Sequence, residues 1–348
     1  MKKLKVAFLY NKKPNDLSDI AKRYFINAHL TKDTFAEWDS ERTIKAINNA
    51  IAENFEVIDI EADIHFYNKL LNNRPDIAFN FTEGFNYSSR EAQVPAVLDF
   101  LNIPYTGSNP ETLINCLDKI RTKEILIYNN IPTAKFSFFK FNEKIDFSNF
   151  NLNFPVIVKP AYEGSSKGIF QTSVCYNHYE LKNYIEFIFE TYKEDVLIEE
   201  FLEGREFTIG FLGNDENLEI LPIIEISFPE NIKNKIYSYE LKWELDTPEN
   251  PLDIFKCPAI IDENLMDNII NIIKRTISTM RLLDWGRIDI RLDKNNIPNI
   301  IEINPIPGIL PKIEENSCFT KAAFTAGYKY SEIIKKVILS AASRWKII

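Results

Sequence analysis

Two short runs toward the C-terminal end constrain this chain more than any other feature: Arg287-Ile288-Asp289-Ile290-Arg291-Leu292 and Asn299-Ile300-Ile301-Glu302-Ile303-Asn304. Side chains alternate across a strand, so Ile288, Ile290 and Leu292 share one face and Arg287, Asp289 and Arg291 the other. In the second run Ile301 and Ile303 share a face, and Glu302 and Asn304 oppose them. The intervening Asp293-Lys294-Asn295-Asn296 is turn-rich, which predicts a hairpin. The polar faces then meet and bring Asp289, Glu302 and Asn304 together. Two carboxylates and an amide oxygen are hard ligands suited to Mg²⁺, which keeps its other positions for water and phosphate. The competing reading is a hairpin with one solvated face.

The rest of the chain alternates between strand and helix. Strands are expected at Lys5–Tyr10, 56–60 and Ile77–Phe81, with helices at 40–54, where Ile44, Ile47 and Ile51 keep helical spacing, and at 93–101. This pattern implies a parallel sheet. Ile103-Pro104-Tyr105-Thr106-Gly107 ends the unit, so a first domain spans residues 1–109. A helix is expected at 110–129, strands at 135–140, 155–160 and 168–174, a helix at 178–192 and a strand at 195–200, giving a second unit at 110–204. The third, 205–348, holds strands at Glu206–Leu212 and 219–226, a helix at 263–281, the hairpin, and a closing helix at 331–343. The polar, aromatic stretch 231–250 suits a functional loop better than a linker.

Two further motifs carry chemistry. In Pro155-Val156-Ile157-Val158-Lys159-Pro160 an apolar strand delivers Lys159 at its end, and Glu163-Gly164-Ser165-Ser166-Lys167-Gly168 follows. Glycines permit a turn whose N–H groups converge on an anion, and the serine hydroxyls and lysine charge add to it. This is a phosphate cradle without the Walker pattern; the plainer alternative is a hairpin turn. In Val196-Leu197-Ile198-Glu199-Glu200-Phe201-Leu202-Glu203-Gly204-Arg205-Glu206, a buried strand runs into a linker that can grip a flat heterocycle, with Glu206 placed to accept ribose hydroxyls. The alternative is a strand leaving the core through an acidic turn.

Composition narrows the function. At 348 residues and 45% apolar content a large core is available and disorder is excluded. A net charge of −9 argues against a dedicated nucleic-acid binder, though not against ATP, which local lysines hold. Four scattered cysteines without a C-x-x-C pair and three isolated histidines exclude a disulfide scaffold and argue against a zinc site. The apolar run at residues 6–10 is too short for a signal segment, and no stretch approaches about 18 apolar residues. A soluble cytoplasmic protein is expected, with no nucleic-acid or membrane partner.

Taken in order, these segments resemble the ATP-grasp superfamily, and within it the D-alanine–D-alanine ligase family, from about Phe79 to the C-terminus. Besides the three motifs, Ile103-Pro104-Tyr105-Thr106-Gly107-Ser108, Asp118-Lys119 and Glu302 through Gly308 match. The resemblance implies an α/β (α+β) ATP-grasp fold of three domains with an N-terminal parallel-sheet domain, ATP lying between the second and third. It implies that Lys119 and Lys159 hold phosphates under a flap carrying Ser165 and Ser166. Glu199, Glu200, Phe201 and Leu202 would line the adenine site, and Glu206 would bind ribose. Asp289, Glu302 and Asn304 would bind two Mg²⁺ ions, or Mn²⁺ in their place. Arg287 would stabilise transition-state charge, with backbone N–H groups near Gly308, and Lys242 would sit in the loop over the γ-phosphate. The reaction implied is carboxylate plus ATP to an acylphosphate, then attack by an amine, on amino acids or a small peptide. A homodimer accords with the family's habit.

The substrate half departs from the family. Phe81-Thr82-Glu83-Gly84-Phe85-Asn86 and Ser89-Arg90-Glu91 stand where a histidine motif is usual, Trp243 replaces a tyrosine, and eight residues separate Gly308 from Ser317, the expected carboxylate anchor. Glu37, Asp39, Glu83, Arg90 and Glu91 are the candidate substrate-binding residues. A charged Arg90–Glu83 pair would suit a polar or larger amino acid and make D-alanine a poor substrate. Two rivals remain on the residues alone: a kinase or carrier-charging ligase on the same fold, and a catalytically silent ATP-binding module.

Overall fold

The computed structural model describes residues 3–14, 20, 23–24, 30–31, 33–85, 87–230, 232–245 and 252–348, with the backbone alone at 243 and 244. The first sheet is parallel. β1 (Lys5–Tyr10) lies between β2 (Glu56–Glu61) and β3 (Ile77–Phe81). Parallel neighbours need crossovers, and α1 (Glu41–Ala52) supplies the first. Ser40 caps it by accepting the Thr43 N–H, and Ile44, Ile47 and Ile51 bury its inner face. The second crossover contains α2 (Phe66–Asn72), a short helix the sequence pattern does not announce. After β3 comes α3 (Gln93–Phe100).

Residues 110–129, expected as one helix, form two: α4 (Pro110–Leu117) and α5 (Lys119–Tyr128). Asp118 leaves the helical region at φ −77°, ψ 95°, and its carboxylate caps α5 by accepting the Arg121 N–H. The break makes Lys119 the first residue of α5. Its otherwise orphaned N–H donates to the Ala161 carbonyl at 3.1 Å, next to the end of the strand carrying Lys159.

The second sheet is antiparallel, in the order β4 (Phe136–Phe139), β7 (Val196–Glu200), β5 (Val156–Pro160), β6 (Val174–Cys175). β6 is two residues long, not the strand expected over 168–174. The preceding residues form the left-handed Ser165-Ser166 turn and a 3₁₀ turn at Gln171–Ser173. α6 (His178–Thr191) covers this sheet through Leu181, Tyr184, Ile185 and Ile188.

In the third sheet β8 (Glu206–Leu212) is central. It pairs with β9 (Glu219–Ile220), β10 (Ile224–Ile226) and β12 (Trp285–Leu292); β11 (Phe255–Lys256) and β13 (Pro298–Asn304) complete it. The single strand expected at 219–226 is split, and Pro222, which lacks an N–H for the ladder, lies in the gap. α7 (Glu263–Met280) buries Ile269, Ile273 and Ile277 against Phe207, Ile209, Ile288 and Ile290. α4 and α5 reach this core too, through Cys116 and Leu126. α8 (Cys318–Thr325), also not foreseen, and α9 (Tyr330–Arg344) complete a core joining Phe79 and Phe81 of the first sheet to Trp285 and Phe319. At that junction the fully buried Asp284 accepts from the Gly107 N–H at 2.8 Å and pairs with Arg344 at 2.8 Å.

The β12–β13 hairpin is not regular. Ile290 pairs with Ile300, but Asp289 pairs with Glu302, so Ile301 is an extra residue in a bulge. Ile300 and Ile303 face the core, and Ile301 does not share that face, contrary to simple alternation. Unbulged pairing would set Asp289 opposite Ile301; the bulge sets it opposite Glu302. Among the described residues, no helix is long and apolar enough to cross a membrane.

Candidate active site

A cavity of about 560 Å³ opens where the three sheets converge. The second sheet contributes Ile157, Lys159 and Glu199, the third Glu206, Arg287, Asp289 and Glu302, and the first unit Glu37, Asp39, Glu83 and Glu91. Nearly every cation in it is met by a carboxylate.

At the hairpin, Arg287 grips Asp289 in a fork, Nε to Oδ1 at 3.0 Å and Nη2 to Oδ2 at 2.9 Å. Burial would lower the Arg287 pKa, but Asp289 reverses this and holds it above its ordinary value. Asn304 Nδ2 donates to Asp289 Oδ2 at 3.2 Å. Glu302 pairs with Lys119 at 3.1 Å. Burial favours a neutral Glu302, yet Lys119, Arg287 and Lys159 outweigh it and keep the carboxyl below its usual range. The three expected metal ligands are therefore adjacent. Among the described residues, no group of three His, Cys, Asp or Glu is placed to hold a metal ion. Two carboxylates with an amide oxygen, beside room for phosphate and water, are a donor set that fits Mg²⁺.

Lys159, the penultimate residue of β5, pairs with Glu199 at 2.6 Å; Lys123, one turn after Lys119 in α5, holds the other oxygen of Glu199. Burial alone would raise the Glu199 carboxyl, but the two ammonium groups bring it down to about 2. Glu199 thus serves as the lysines' counter-ion. Glu200 accepts the Asn153 N–H and side-chain amide at 3.1 and 2.9 Å. Phe201 lies under the Arg291 guanidinium, 4.8 Å from ring centre to Cζ, and Leu202 lines the cavity beside it. Arg291 also pairs with Glu206 at 2.9 Å and donates to the Lys235 carbonyl at 2.6 Å. Glu206, expected at the ribose, is engaged by this arginine.

Ser165 and Ser166 adopt φ of +52° and +61°. The Ser166 hydroxyl donates to the Tyr237 carbonyl at 2.8 Å, and the Tyr239 N–H to the Ile169 carbonyl at 2.8 Å, so the loop before Lys242 lies across this turn. Lys242 lines the cavity in a π-helical turn (Leu241–Leu245), and burial with the Arg287 charge lowers its pKa. Part of the expected 231–250 loop, including 246–250, lies outside the described residues.

On the first unit's side, Arg90 pairs with Glu37 at 2.9 Å and with Glu163 at 3.5 Å, not with Glu83. It also donates to the Tyr162 carbonyl at 2.7 Å. Lys167 pairs with Glu37 at 2.6 Å and with Glu163. Gly164 approaches Glu37 so closely that a Cβ would collide with its carboxylate. Arg90 and Glu91 are each 8% exposed, so neither lies at the surface. Across the long spacer, the Ser317 Oγ donates to the Gly308 carbonyl at 2.7 Å, and both residues line the cavity.

Sequence reasoning missed four participants. Lys123 follows Lys119 at i+4, Glu163 and Lys167 sit i, i+4 across the Gly/Ser turn, and Arg291 shares the strand face of Arg287 and Asp289. Each spacing is visible in the chain, but which partner each meets depends on separate elements.

The sequence model of the D-ala D-ala ligase C-terminus matches residues 126–339. The uncharacterized protein y4sG of Sinorhizobium fredii is 32% identical over 269 residues, 77% of this chain and 75% of that one. The D-alanine–D-alanine ligase of Hydrogenovibrio crunogenus is 31% identical over 245 residues, 70% of this chain and 72% of that one. The crystal structure of the D-alanine–D-alanine ligase of Bacillus anthracis complexed with ATP superposes with a TM-score of 0.70, covering 99% of both chains at 20% identity. That last likeness carries the fold alone, and it is the three-part architecture expected above.

Proposed function

The chain belongs to the D-alanine–D-alanine ligase family and is an ATP-grasp ligase forming a C–N bond; from that premise we propose which residues do the work. The division into 1–109, 110–204 and 205–348 follows the three sheets, and ATP enters between the second and third. Its base packs near Phe201, Leu202 and Arg291, and its phosphates run toward Lys159 and Lys119. Both lysines now face carboxylates. The incoming phosphates compete for them, and release of Lys119 leaves Glu302, across the ladder from Asp289, to face a cation.

Asp289, Glu302 and Asn304 would hold Mg²⁺, whose charge offsets that of the phosphates. The chain's own cations do the rest. Arg287 lies beside the point of transfer and stabilises negative charge on the transferred group. Lys242, kept less basic by burial, covers the γ-phosphate. The substrate carboxylate takes the γ-phosphoryl group of ATP, releasing ADP and forming an acylphosphate; the second substrate's amine attacks its carbonyl carbon, phosphate leaves and the amine gives up a proton. N–H groups near Gly308 stabilise the resulting oxyanion, while Ser317 anchors the second carboxylate. The carrying observation is that Lys119, Lys159, Arg287 and the three oxygen ligands converge on one cavity. The partners are small molecules, in the cytoplasm.

The test is phosphate release from ATP with D- and L-amino acids, singly and in pairs, with mass spectrometry of products. Release that depends on an amino acid and yields a dipeptide mass is expected. Phosphate ending on a substrate hydroxyl would refute the reading.

A further inference from the structure

On the cavity wall built by the first unit the carboxylates Glu37, Asp39, Glu83 and Glu91 outnumber the cations Lys13, Arg42 and Arg90, and Arg42 is taken by Glu315. Glu37 and Glu163 are balanced by Arg90 and Lys167, and Lys119 is taken by Glu302. Asp39, Glu83 and Glu91 line the same cavity beyond that balance. Glu91 is decisive. It is 8% exposed, and among the described residues no hydrogen bond or ion pair reaches its side chain. Buried carboxylates are ordinarily paired, because an unpaired buried charge is costly. Burial, reinforced by Glu91 and Glu37, pushes the Glu83 carboxyl well above its ordinary range, and burial lifts Glu91 and Asp39 to about 7.

We propose that this acidic wall selects an amino acid with two positive charges, so that one of the two joined substrates is basic. This rests on the ligase reading above. The α-ammonium meets one surplus carboxylate, and a side-chain ammonium or guanidinium meets Glu91 and Glu83. A neutral amino acid leaves Glu91 unpaired, and an acidic one adds repulsion. The Glu37–Arg90–Lys167–Glu163 network, already complete, holds the wall in place.

The experiment compares ornithine and arginine with norvaline and citrulline, in both hands, using ATP and Mg²⁺ with the full chain. Phosphate release gives KM, and calorimetry with a non-hydrolysable ATP analogue gives Kd. At least a tenfold lower KM and Kd is expected for one cationic member over its neutral counterpart; which member wins separates ammonium from guanidinium. Glu91→Gln should collapse that ratio at least tenfold without lowering the ligand-free Tm, and Glu83→Gln should reduce it independently. Equal use of neutral and cationic substrates, or a ratio untouched in both variants, overturns the inference and leaves the ligase reading standing. If ATP binds but no amino acid drives phosphate release, the ligase reading falls and this inference with it.

Discussion

Replacing Glu199 by glutamine removes the anion shared by the buried Lys123 and Lys159, whose side chains are 2% and 11% exposed. The carboxyl is brought from its ordinary 4.5 to about 2. Each pKa unit is worth about 1.4 kcal/mol, so the charge contributes about 3 kcal/mol. The folded pKa is the lower one, so this stability is fully present above pH 4.5 and fades only as pH falls toward 2. The figure agrees with the roughly 3–5 kcal/mol for breaking a buried pair from one side. Unfolding entropy of about 2.1 cal/mol/K per residue, taken over 348 residues, converts it to a Tm drop of about 4 °C. Scanning calorimetry at pH 7 measures this. Saturating ATP should narrow the gap, because its phosphates offer Lys159 another anion. In a Lys123→Met background the same substitution should cost less. A Tm change below about 1 °C, or an equal cost in both backgrounds, would refute the counter-ion argument.

Glu302→Gln should keep the fold but reduce kcat more than roughly a hundredfold, the loss of several kcal/mol of charge stabilisation; near-normal turnover would remove Glu302 from the metal site. Arg291→Leu should raise the ATP KM at least tenfold and lower Tm by stranding Glu206. Adding Glu206→Leu should restore Tm but not KM, and recovery of both would make Arg291 purely structural. For Glu91 the folded pKa lies above the ordinary value, so its contribution is greatest in acid and is lost as pH rises from about 4.5 to about 7. Ligand-free stability should therefore fall by about 1 kcal/mol between pH 6 and 7, measured by urea unfolding, and Glu91→Gln should flatten that slope.

The sequence by itself determined most of the strands and long helices and the residue types they present. Two-residue alternation marked the faces of β12 and β13, an apolar run ending in lysine marked β5, and isoleucine spacing marked α1. These are periodicities of a single segment, set by backbone geometry. Lys159, Asp289, Glu302 and Asn304 could be named for the same reason, each sitting in or beside a local pattern that restricts what it can do, whereas Lys119 and the role of Arg287 came from the resemblance to the family. The tertiary structure decided the pairings. The bulge at Ile301 aligns Asp289 with Glu302, and nothing in the alternation of either strand requires it. The break at Asp118 aims Lys119, though propensity favours one continuous helix. Arg90 finds Glu37 and Glu163 rather than Glu83, and Ser317 returns to Gly308 across eight intervening residues. Charges attract whatever opposite charge is nearest in space, and nearness there is set by how three sheets pack, which no local pattern encodes.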